Sequence, residues 1–369
     1  MRKFKFLAIL VTIFCFFGLG LSSNALALGK KEDPAPPTYN DVKYPIILVH
    51  GVCGFDDIFG IDYWYGIEAK LRDEGAKHVR SANLSAMANN ELRGEQLLAQ
   101  IKNLLADTGA SKVNIIAHSH GCTTSRYVTH VAPELIASFT SIAGPHKGSP
   151  VAEWADKEVP EGLLSLGTDL GNILGHLISV LSGKGLREQD TDGLINHFDF
   201  EGNAIFNAEY PSAGVPASDC GEGAYTEIKY DKNGNKQEFP LFSWVGSRGP
   251  TSNKSILNIG NDLLNTNKLM GDLIADWLDI DESFEIDLYK DVLDSLWPIL
   301  QAINRMYDLN NDDGFVGVCS AHYGKVLKDD YKWNHGDEVN HLFGILAGDA
   351  AEPPSVISTH VNRLKNMSL

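Results

Sequence analysis

The segment Val113-Asn114-Ile115-Ile116-Ala117-His118-Ser119-His120-Gly121 joins a short apolar run to a stretch with helical character. The β-branched run predicts a buried strand at its start, and a helix should follow from about residue 121 until Pro133 ends it. A serine on the sharp turn between a strand and a helix presents its Oγ clear of the backbone. Small residues two positions before and after it, here Ala117 and Gly121, let the neighbouring backbone approach. The segment therefore predicts Ser119 as a nucleophile on a tight strand–helix turn.

Apolar runs and helical periodicity alternate around this segment. Short buried strands are predicted at 44–50, 113–117, 137–143 and 239–246. Helices are predicted at 94–108 and 121–131, along the leucine-rich stretch 163–181, through the acidic stretch 255–307 and in the tail from about residue 337. Strands that alternate with helices predict an α/β fold with a mostly parallel central sheet and helices on both faces.

The first 27 residues have the pattern of a secretory signal peptide. A basic start with Arg2, Lys3 and Lys5 precedes an uncharged apolar run, and Asn24-Ala25-Leu26-Ala27 supplies small residues at the cleavage position. No Ser/Gly linker divides the remainder, so 28–369 is predicted to be one domain. Insertions are expected near 150–200, as a lid, and near 255–307.

The charge of the chain excludes one broad class of function. It carries 31 Lys and Arg against 48 Asp and Glu among 369 residues, a formal net charge of −17. Nucleic-acid binders need a basic face to displace counterions from phosphates. The content of 43% hydrophobic residues is close to that of ordinary globular proteins, so a sizeable buried core is expected.

A serine nucleophile in this context needs an acid and a histidine downstream, in that order. His335 lies in a polar, glycine-containing loop before the last helical stretch and is the favoured base, with His322 and His360 as alternatives. The acid is predicted at Asp312 or Asp313, which spacing does not separate. Two backbone N–H groups should stabilise the oxyanion, one from the residue after the nucleophile, His120, and one from Val52 in the loop after the first strand.

Several motifs together resemble the secreted bacterial true lipases of the Pseudomonas and Burkholderia type. The resemblance runs from about residue 43 to the end of the chain. The motifs that carry it are Tyr44-Pro45-Ile46-Ile47-Leu48-Val49-His50-Gly51, Arg93-Gly94-Glu95-Gln96-Leu97, His118-Ser119-His120-Gly121, Pro145-His146-Lys147-Gly148-Ser149, Cys220-Gly221-Glu222-Gly223-Ala224-Tyr225, Asn334-His335-Gly336-Asp337-Glu338-Val339-Asn340 and Asn362-Arg363-Leu364-Lys365.

The resemblance implies an α/β-hydrolase fold and a triad of Ser119, Asp313 and His335. It implies oxyanion donors at Val52 and His120, and a mobile lid that contains the amphipathic 163–181 helix. The implied activity is that of a secreted triacylglycerol lipase. The alternatives are an esterase or polyester depolymerase with the same triad, or a non-catalytic lipid-binding homologue.

Four cysteines follow the signal peptide and allow three pairings. The resemblance implies a disulfide between Cys220 and Cys319. The two remaining cysteines have no counterpart in the family. Because Cys53 follows the oxyanion loop and Cys122 follows the nucleophile, we hypothesise a second disulfide between them.

The resemblance also implies a structural Ca²⁺ near the catalytic histidine. Asp337 matches one carboxylate ligand, while His341 and Ile345 match positions that supply backbone carbonyls. The second carboxylate falls at Asn258, or at Asp262 nearby. A membrane-anchored folding chaperone, the lipase-specific foldase, is implied as a partner, with export through the periplasm.

Overall fold

The computed structural model describes residues 38–58, 61–159, 161–247, 313–340, 344, 346 and 350–369. The predicted signal peptide at 1–27 and the acidic stretch at 255–307 lie outside these residues. Within them, no helix is long and apolar enough to cross a membrane.

A seven-stranded sheet forms the centre of the molecule. Its strands are β1 Ile46–Val49, β4 Val79–Ser81, β5 Val113–His118, β6 Ile136–Ile142, β7 Thr226–Tyr230, β8 Lys236–Gly246 and β9 Lys325–Tyr331, while β2 Asp57–Ile58 and β3 Ile61–Asp62 form a separate antiparallel ribbon. The strand order is β4-β1-β5-β6-β8, and every pair in this order is parallel, in agreement with the predicted mostly parallel sheet. The first half of β8 pairs antiparallel with β7, and its second half pairs parallel with β9.

Helices flank these strands. The described helices are α1 Ile67–Asp73, α2 Asn90–Thr108, α3 His120–Val131, α4 Pro150–Glu158, α5 Glu161–Leu181, α6 Thr191–Phe198, α7 Phe200–Glu209, α8 Val318–Ala321 and α9 Pro353–Asn366. Side-chain caps begin α2, α6 and α7. In α2, the Asn89 side chain accepts a hydrogen bond from the Leu92 N–H, and Gly109 closes the other end in a left-handed conformation.

Helices cover both faces of the sheet. Alternate residues of a strand point to opposite faces, so Ile47 and Val49 of β1 pack into the cluster that includes residues of α2 and α3. Ile46 and Leu48 pack into the other cluster, which includes residues of α1 and α9. Burial on both faces explains why β1 is a continuous apolar run. Strands β5 and β6 are also buried throughout, and their polar residues bond within the sheet, as Ser138 Oγ does with Asn114 Oδ1. The predicted fold class is confirmed.

Helices α4 to α7 form the insertion between β6 and β7. In α5, Leu170, Leu174 and Ile178 are buried against the loop that follows β1 and against residues 86–87. The same helix exposes Ile173, Leu177 and Val180, which are 44%, 46% and 50% accessible. The amphipathic helix predicted at 163–181 is therefore present, and it is apolar on an outer face as well as on the inner one.

The cysteines correct one prediction and confirm another. Cys220 and Cys319 form the expected disulfide, across 99 residues of sequence. The hypothesised Cys53–Cys122 disulfide is wrong, because Cys122 is a free, buried thiol. The first turn of α3 points Cys122 into the core beneath the sheet, where its Sγ donates to the Ala117 carbonyl at 3.2 Å, whereas Cys53 packs in the cluster under α5.

Candidate active site

Ser119 occupies a strained turn between β5 and α3. Its backbone has φ 55° and ψ −128°, a conformation that few non-glycine residues adopt. The Ser119 N–H donates to the Ile142 carbonyl at 2.9 Å, which fixes the turn against β6. A Cβ on Gly121 would lie 2.4 Å from the Val49 carbonyl oxygen, so glycine is required there. The buried Ala117, two residues before the serine, is small enough for the site.

Three side chains predicted from the sequence lie in one hydrogen-bonded row. His335 Nε2 is 2.8 Å from Ser119 Oγ, and His335 Nδ1 is 2.8 Å from Asp313 Oδ2. All three residues are buried, with Ser119 and His335 each 8% accessible. A base held between a hydroxyl and a carboxylate can take the hydroxyl proton and be stabilised as an imidazolium.

Asp313 is fixed by its own loop. Its Oδ1 accepts from the Phe315 and Val316 N–H groups, each at 2.9 Å, while its carbonyl accepts from the His335 N–H at 2.9 Å. Both side-chain oxygens are thus committed, one to the loop and one to the histidine. Asp312, the alternative acid, lies outside the described residues.

The alternative histidines lie elsewhere in the fold. His322 contacts the Gly221 carbonyl and Asp329 Oδ2. His360 is buried in α9, where its Nε2 is 2.8 Å from Thr140 Oγ1. Of the three histidines weighed from the sequence, the structure brings His335 to Ser119.

The two predicted oxyanion donors lie at the ends of structured elements. His120 is the first residue of α3, so its N–H is among the first-turn amides that have no acceptor within the helix. Val52 lies in the loop after β1, beneath α5. The Leu84 N–H donates to His50 Nε2 at 3.0 Å, and His50 Nδ1 therefore carries the ring proton and donates to the Gly51 carbonyl at 2.8 Å. Burial, and then the charge of Arg93, hold the pKa of His50 well below its usual range.

Arg93 holds this loop by hydrogen bonds, a role that was not predicted from the sequence. Its guanidinium donates to the His50 carbonyl at 2.6 Å, to the Ser85 carbonyl and to Thr124 Oγ1. Burial lowers the pKa of Arg93 to about 9. The signal available in the sequence was an arginine at a core-facing position of an otherwise amphipathic helix, two residues after Glu91 and next to Gly94.

The disulfide stabilises the loop that carries the acid. Cys319 lies in α8, six residues after Asp313. Nearby, Ser149 Oγ donates to the Phe315 carbonyl at 2.7 Å, and Ser320 Oγ donates to the Gly148 carbonyl at 2.6 Å. Hydrogen bonds therefore hold the start of the insertion to the acid loop, and the disulfide at Cys220 holds the segment that follows the insertion.

One of the predicted calcium ligands is described. Asp337 is 5% accessible, and its Oδ2 accepts from the Asn334 N–H at 3.0 Å while Asn334 Oδ1 accepts from the Asp337 N–H. A buried carboxylate oxygen is the kind of donor that Ca²⁺ prefers. The remaining predicted ligands, His341, Ile345, Asp262 and Asn258, lie outside the described residues.

A second group of possible ligand atoms lies on His118, His335 and Glu338, all within 4.8 Å of one another. Two of its three donors are imidazole nitrogens, which suit zinc or copper better than calcium. One of them belongs to the histidine beside Ser119. This group therefore does not fit the predicted calcium site.

Comparisons with known proteins agree with this geometry. Residues 44–165 match the α/β-hydrolase fold family. The chain is 39% identical to a triacylglycerol lipase of Vibrio cholerae over 90% of both chains. It is 40% identical to a triacylglycerol lipase of Burkholderia plantarii, over 90% of this chain and 88% of the relative. In fold it is similar to EstA from Clostridium botulinum, with a TM-score of 0.52, 15% identity and coverage of 99% and 98% of the two chains.

The hydrolase fold, the serine on its strained turn and the near-complete alignment with these relatives all lead to one assignment. The chain belongs to the triacylglycerol lipase family of the α/β-hydrolase fold.

Proposed function

We propose that this chain is a secreted triacylglycerol lipase that hydrolyses long-chain carboxylic esters through a Ser-His-Asp acyl-enzyme mechanism. The observation that carries the proposal is the row Ser119–His335–Asp313, with both side-chain contacts at 2.8 Å. Relatives at 39–40% identity over most of the chain are named for the same activity.

In the first half of the reaction, Ser119 Oγ attacks the ester carbonyl carbon and His335 Nε2 takes its proton. Asp313 Oδ2 stabilises the imidazolium through Nδ1. Negative charge develops on the former carbonyl oxygen, and the N–H groups of Val52 and His120 are the proposed donors to it. When the C–O bond breaks, His335 returns the proton to the leaving alcohol and the acyl group remains on Ser119.

In the second half, a water molecule takes the place of the alcohol. His335 Nε2 accepts a water proton while the oxygen attacks the acyl carbon, and the same N–H groups receive the second oxyanion. Collapse of this intermediate returns the proton to Ser119 Oγ and releases the fatty acid.

The insertion favours a substrate at an oil–water interface. Helix α5 buries Leu170, Leu174 and Ile178 over the oxyanion loop and exposes an apolar outer face. Exposed apolar surface is unfavourable in water and becomes favourable against lipid. Movement of α5 would uncover the site and add a second apolar surface at the interface.

A structural Ca²⁺ belongs to the proposal. Asp337 would hold it together with the carbonyls of His341 and Ile345 and with the side chain of Asp262 or Asn258. The bound ion would stabilise the turn that carries His335, two residues before Asp337. The chemistry of the ester does not pass through it.

Secretion through the periplasm and assistance by a foldase complete the proposal. The basic and apolar start of the chain, with its small residues at 25–27, supports a signal peptide. The Cys220–Cys319 disulfide supports passage through an oxidising compartment. The foldase is inferred from the resemblance to the Pseudomonas and Burkholderia lipases.

The test is a comparison of hydrolysis rates on emulsified long-chain triacylglycerol and on a short soluble ester, with purified mature protein and calcium. Strong preference for the emulsion is expected. Preference for the soluble ester would instead indicate an esterase or polyester depolymerase with the same triad. Absence of turnover on both substrates, with an intact fold, would leave the non-catalytic lipid-binding alternative.

A further inference from the structure

A second array of acid, histidine and hydroxyl lies beside the Ser119 row. At its centre is His118, the residue before the nucleophile, whose Nδ1 is 2.7 Å from the Tyr63 hydroxyl oxygen. On the other side of the ring, His118 Nε2 is 3.4 Å from Glu338 Oε2. All three side chains are buried, with accessibilities of 4% or less. The contact of His118 with the Tyr63 hydroxyl is a hydrogen bond, and its contact with Glu338 is a longer polar one.

One end of the array lies on the oxyanion loop. The Gly51 N–H donates to the Tyr63 hydroxyl oxygen at 3.1 Å. Gly51 directly precedes Val52, the proposed oxyanion donor. The position of the Tyr63 hydroxyl therefore helps to set the position of the loop, and the Tyr63 hydroxyl is in turn held by His118.

The other end lies under the catalytic histidine. Glu338 follows His335 by three residues, and its Oε1 accepts a hydrogen bond from the Gly246 N–H at the end of β8. The rings of His118 and His335 are in contact, with centroids 4.6 Å apart at an angle of 42°. The array thus connects the loop that carries the base to the loop that carries the oxyanion donor.

We propose that His118 is a positioning residue, which holds the Tyr63 hydroxyl in place as the acceptor of the Gly51 N–H and so keeps the oxyanion loop in its productive position. The proposal rests on the acyl-enzyme mechanism proposed above. His118 acts through Tyr63 and Gly51 rather than on the reacting atoms. Since a displacement of about 1 Å in a catalytic group can cost about 10²-fold in rate, such support has a measurable effect.

Two amide substitutions at the same position separate the two arms of the array. In His118→Asn, a polar atom remains near the position of Nδ1 and can pair with the Tyr63 hydroxyl. In His118→Gln, the polar atoms lie near the position of Nε2 and can pair with Glu338 instead. Each variant therefore preserves one arm and removes the other.

The measurements are kcat and KM on a short soluble ester, with the thermal unfolding midpoint of each variant as a check on folding. His118→Gln is expected to lower kcat by about tenfold or more while KM stays within about twofold, because the loss falls on the transition state. His118→Asn is expected to keep kcat within about threefold of wild type. Equal kcat values in the two folded variants, or a loss confined to KM, would show that the proposal is wrong.

Tyr63→Phe provides a second route if either histidine variant fails to fold. It removes the hydroxyl and keeps the ring, and it should reproduce the loss seen in His118→Gln. The double variant Tyr63→Phe/His118→Gln should be no slower than the slower single variant, because both changes break the same contact. Multiplicative losses would contradict a shared path to Gly51.

Labelling of Ser119 with a fluorophosphonate separates failure of this proposal from failure of the mechanism. Wild type should be labelled rapidly, and His118→Gln more slowly by about the same factor as its kcat. If all variants were labelled at the wild-type rate, the role of His118 would be refuted and the acyl-enzyme mechanism would stand. A wild-type protein that is not labelled would refute the acyl-enzyme mechanism, and the positioning role with it.

Discussion

The imidazole of His50 donates from Nδ1 to the carbonyl oxygen of Gly51 at 2.8 Å. That carbonyl belongs to the same peptide group as the N–H of Val52. In a trans peptide the C=O and the N–H point in opposite directions. By fixing one end of the peptide, His50 therefore fixes the direction of the proposed oxyanion donor at the other end.

Replacement of His50 by Phe should lower kcat by about tenfold or more. Removal of an oxyanion donor itself costs about 10²–10³ in kcat, and a donor that is present but loosely oriented should cost less. KM on a short soluble ester should change little, because the ground-state carbonyl depends less on the donor. The control is His78→Phe at an exposed histidine remote from the site. A His50→Phe variant that is folded and fully active would contradict this role.

Replacement of Ser119 by Ala should abolish turnover while the fold stays intact. Loss of a serine nucleophile from such a triad costs about 10⁶-fold in kcat. Ser165→Ala, on the exposed surface of α5, is the matched control and should keep full activity. The measurements are the initial rate on a soluble ester and the far-UV circular dichroism spectrum. Full activity in correctly folded Ser119→Ala protein would refute the assignment of the nucleophile.

Replacement of Cys220 and Cys319 together by Ser should lower the free energy of unfolding by about 2–5 kcal/mol. The disulfide joins residues that are 99 positions apart. A cross-link that closes a long loop removes more conformational entropy from the unfolded chain than one that closes a short loop. Because the bridge lies beside the acid loop, heat should inactivate the variant at lower temperature than wild type. Urea unfolding followed by fluorescence measures the effect, with Cys122→Ala as a control that leaves the bridge intact. Equal midpoints in the double variant and wild type would contradict the prediction.

The sequence predicted β1, β5, β6 and β8 because each contains a largely apolar segment that the fold buries on both faces. It did not predict β4, which has three residues, β9, whose residues are exposed or half-buried, or β7, whose outer face carries Ile228 and Tyr230 in water. Such edge strands are stabilised by pairing with a neighbouring strand rather than by a hydrophobic pattern of their own.

The nucleophile was predictable because Ser119 lies between a strand and a helix, with a small residue two positions before it and two positions after it, as the tight turn requires. The supporting residues were not, since Arg93, Tyr63 and Glu338 lie far apart in sequence and act through buried contacts that only the fold creates. The hypothesised Cys53–Cys122 disulfide was wrong for the same reason. Nearness of both residues to the site did not reveal that α3 points Cys122 away from the oxyanion loop.

Polar substitutions on the outer face of α5 should reduce activity on an emulsion selectively. Ile173, Leu177 and Val180 are each about half exposed, so their replacement by Ser should cost little stability. The triple variant should lose about tenfold in rate on emulsified triacylglycerol, as the apolar contact with the interface weakens. Its rate on a short soluble ester should stay near wild type.

The control for α5 is the pair Ile228→Ser and Tyr230→Ser, whose side chains are similarly exposed but lie on β7, a strand of the central sheet. This pair should leave the ratio of the two rates unchanged. A triple variant with the wild-type ratio would show that the outer face of α5 has no part in contacting the interface.

His360 provides a test of pH-dependent stability. The Arg363 guanidinium can only donate, so it bonds His360 Nδ1 as an acceptor at 2.8 Å, and Nε2 donates to Thr140 Oγ1. The ring is therefore neutral in the folded protein. Burial, assisted by the charge of Arg363, lowers the pKa of His360 to about 3.

Stability changes with pH because His360 binds a proton at different pH values in the folded and unfolded chains. Above about pH 6.5 the ring is neutral in both, and it contributes no pH dependence. As the pH falls below 6.5, the unfolded chain binds a proton that the folded chain does not, so stability falls by about 1.4 kcal/mol per pH unit. The free energy of unfolding of His360→Gln, taken relative to that of wild type, should therefore rise by about 2 kcal/mol between pH 7.5 and pH 5, as measured by urea unfolding. If the free energy of unfolding of His360→Gln changed with pH in the same way as that of wild type does, the folded protein would bind a proton at His360 as readily as the unfolded chain, and the prediction would be wrong.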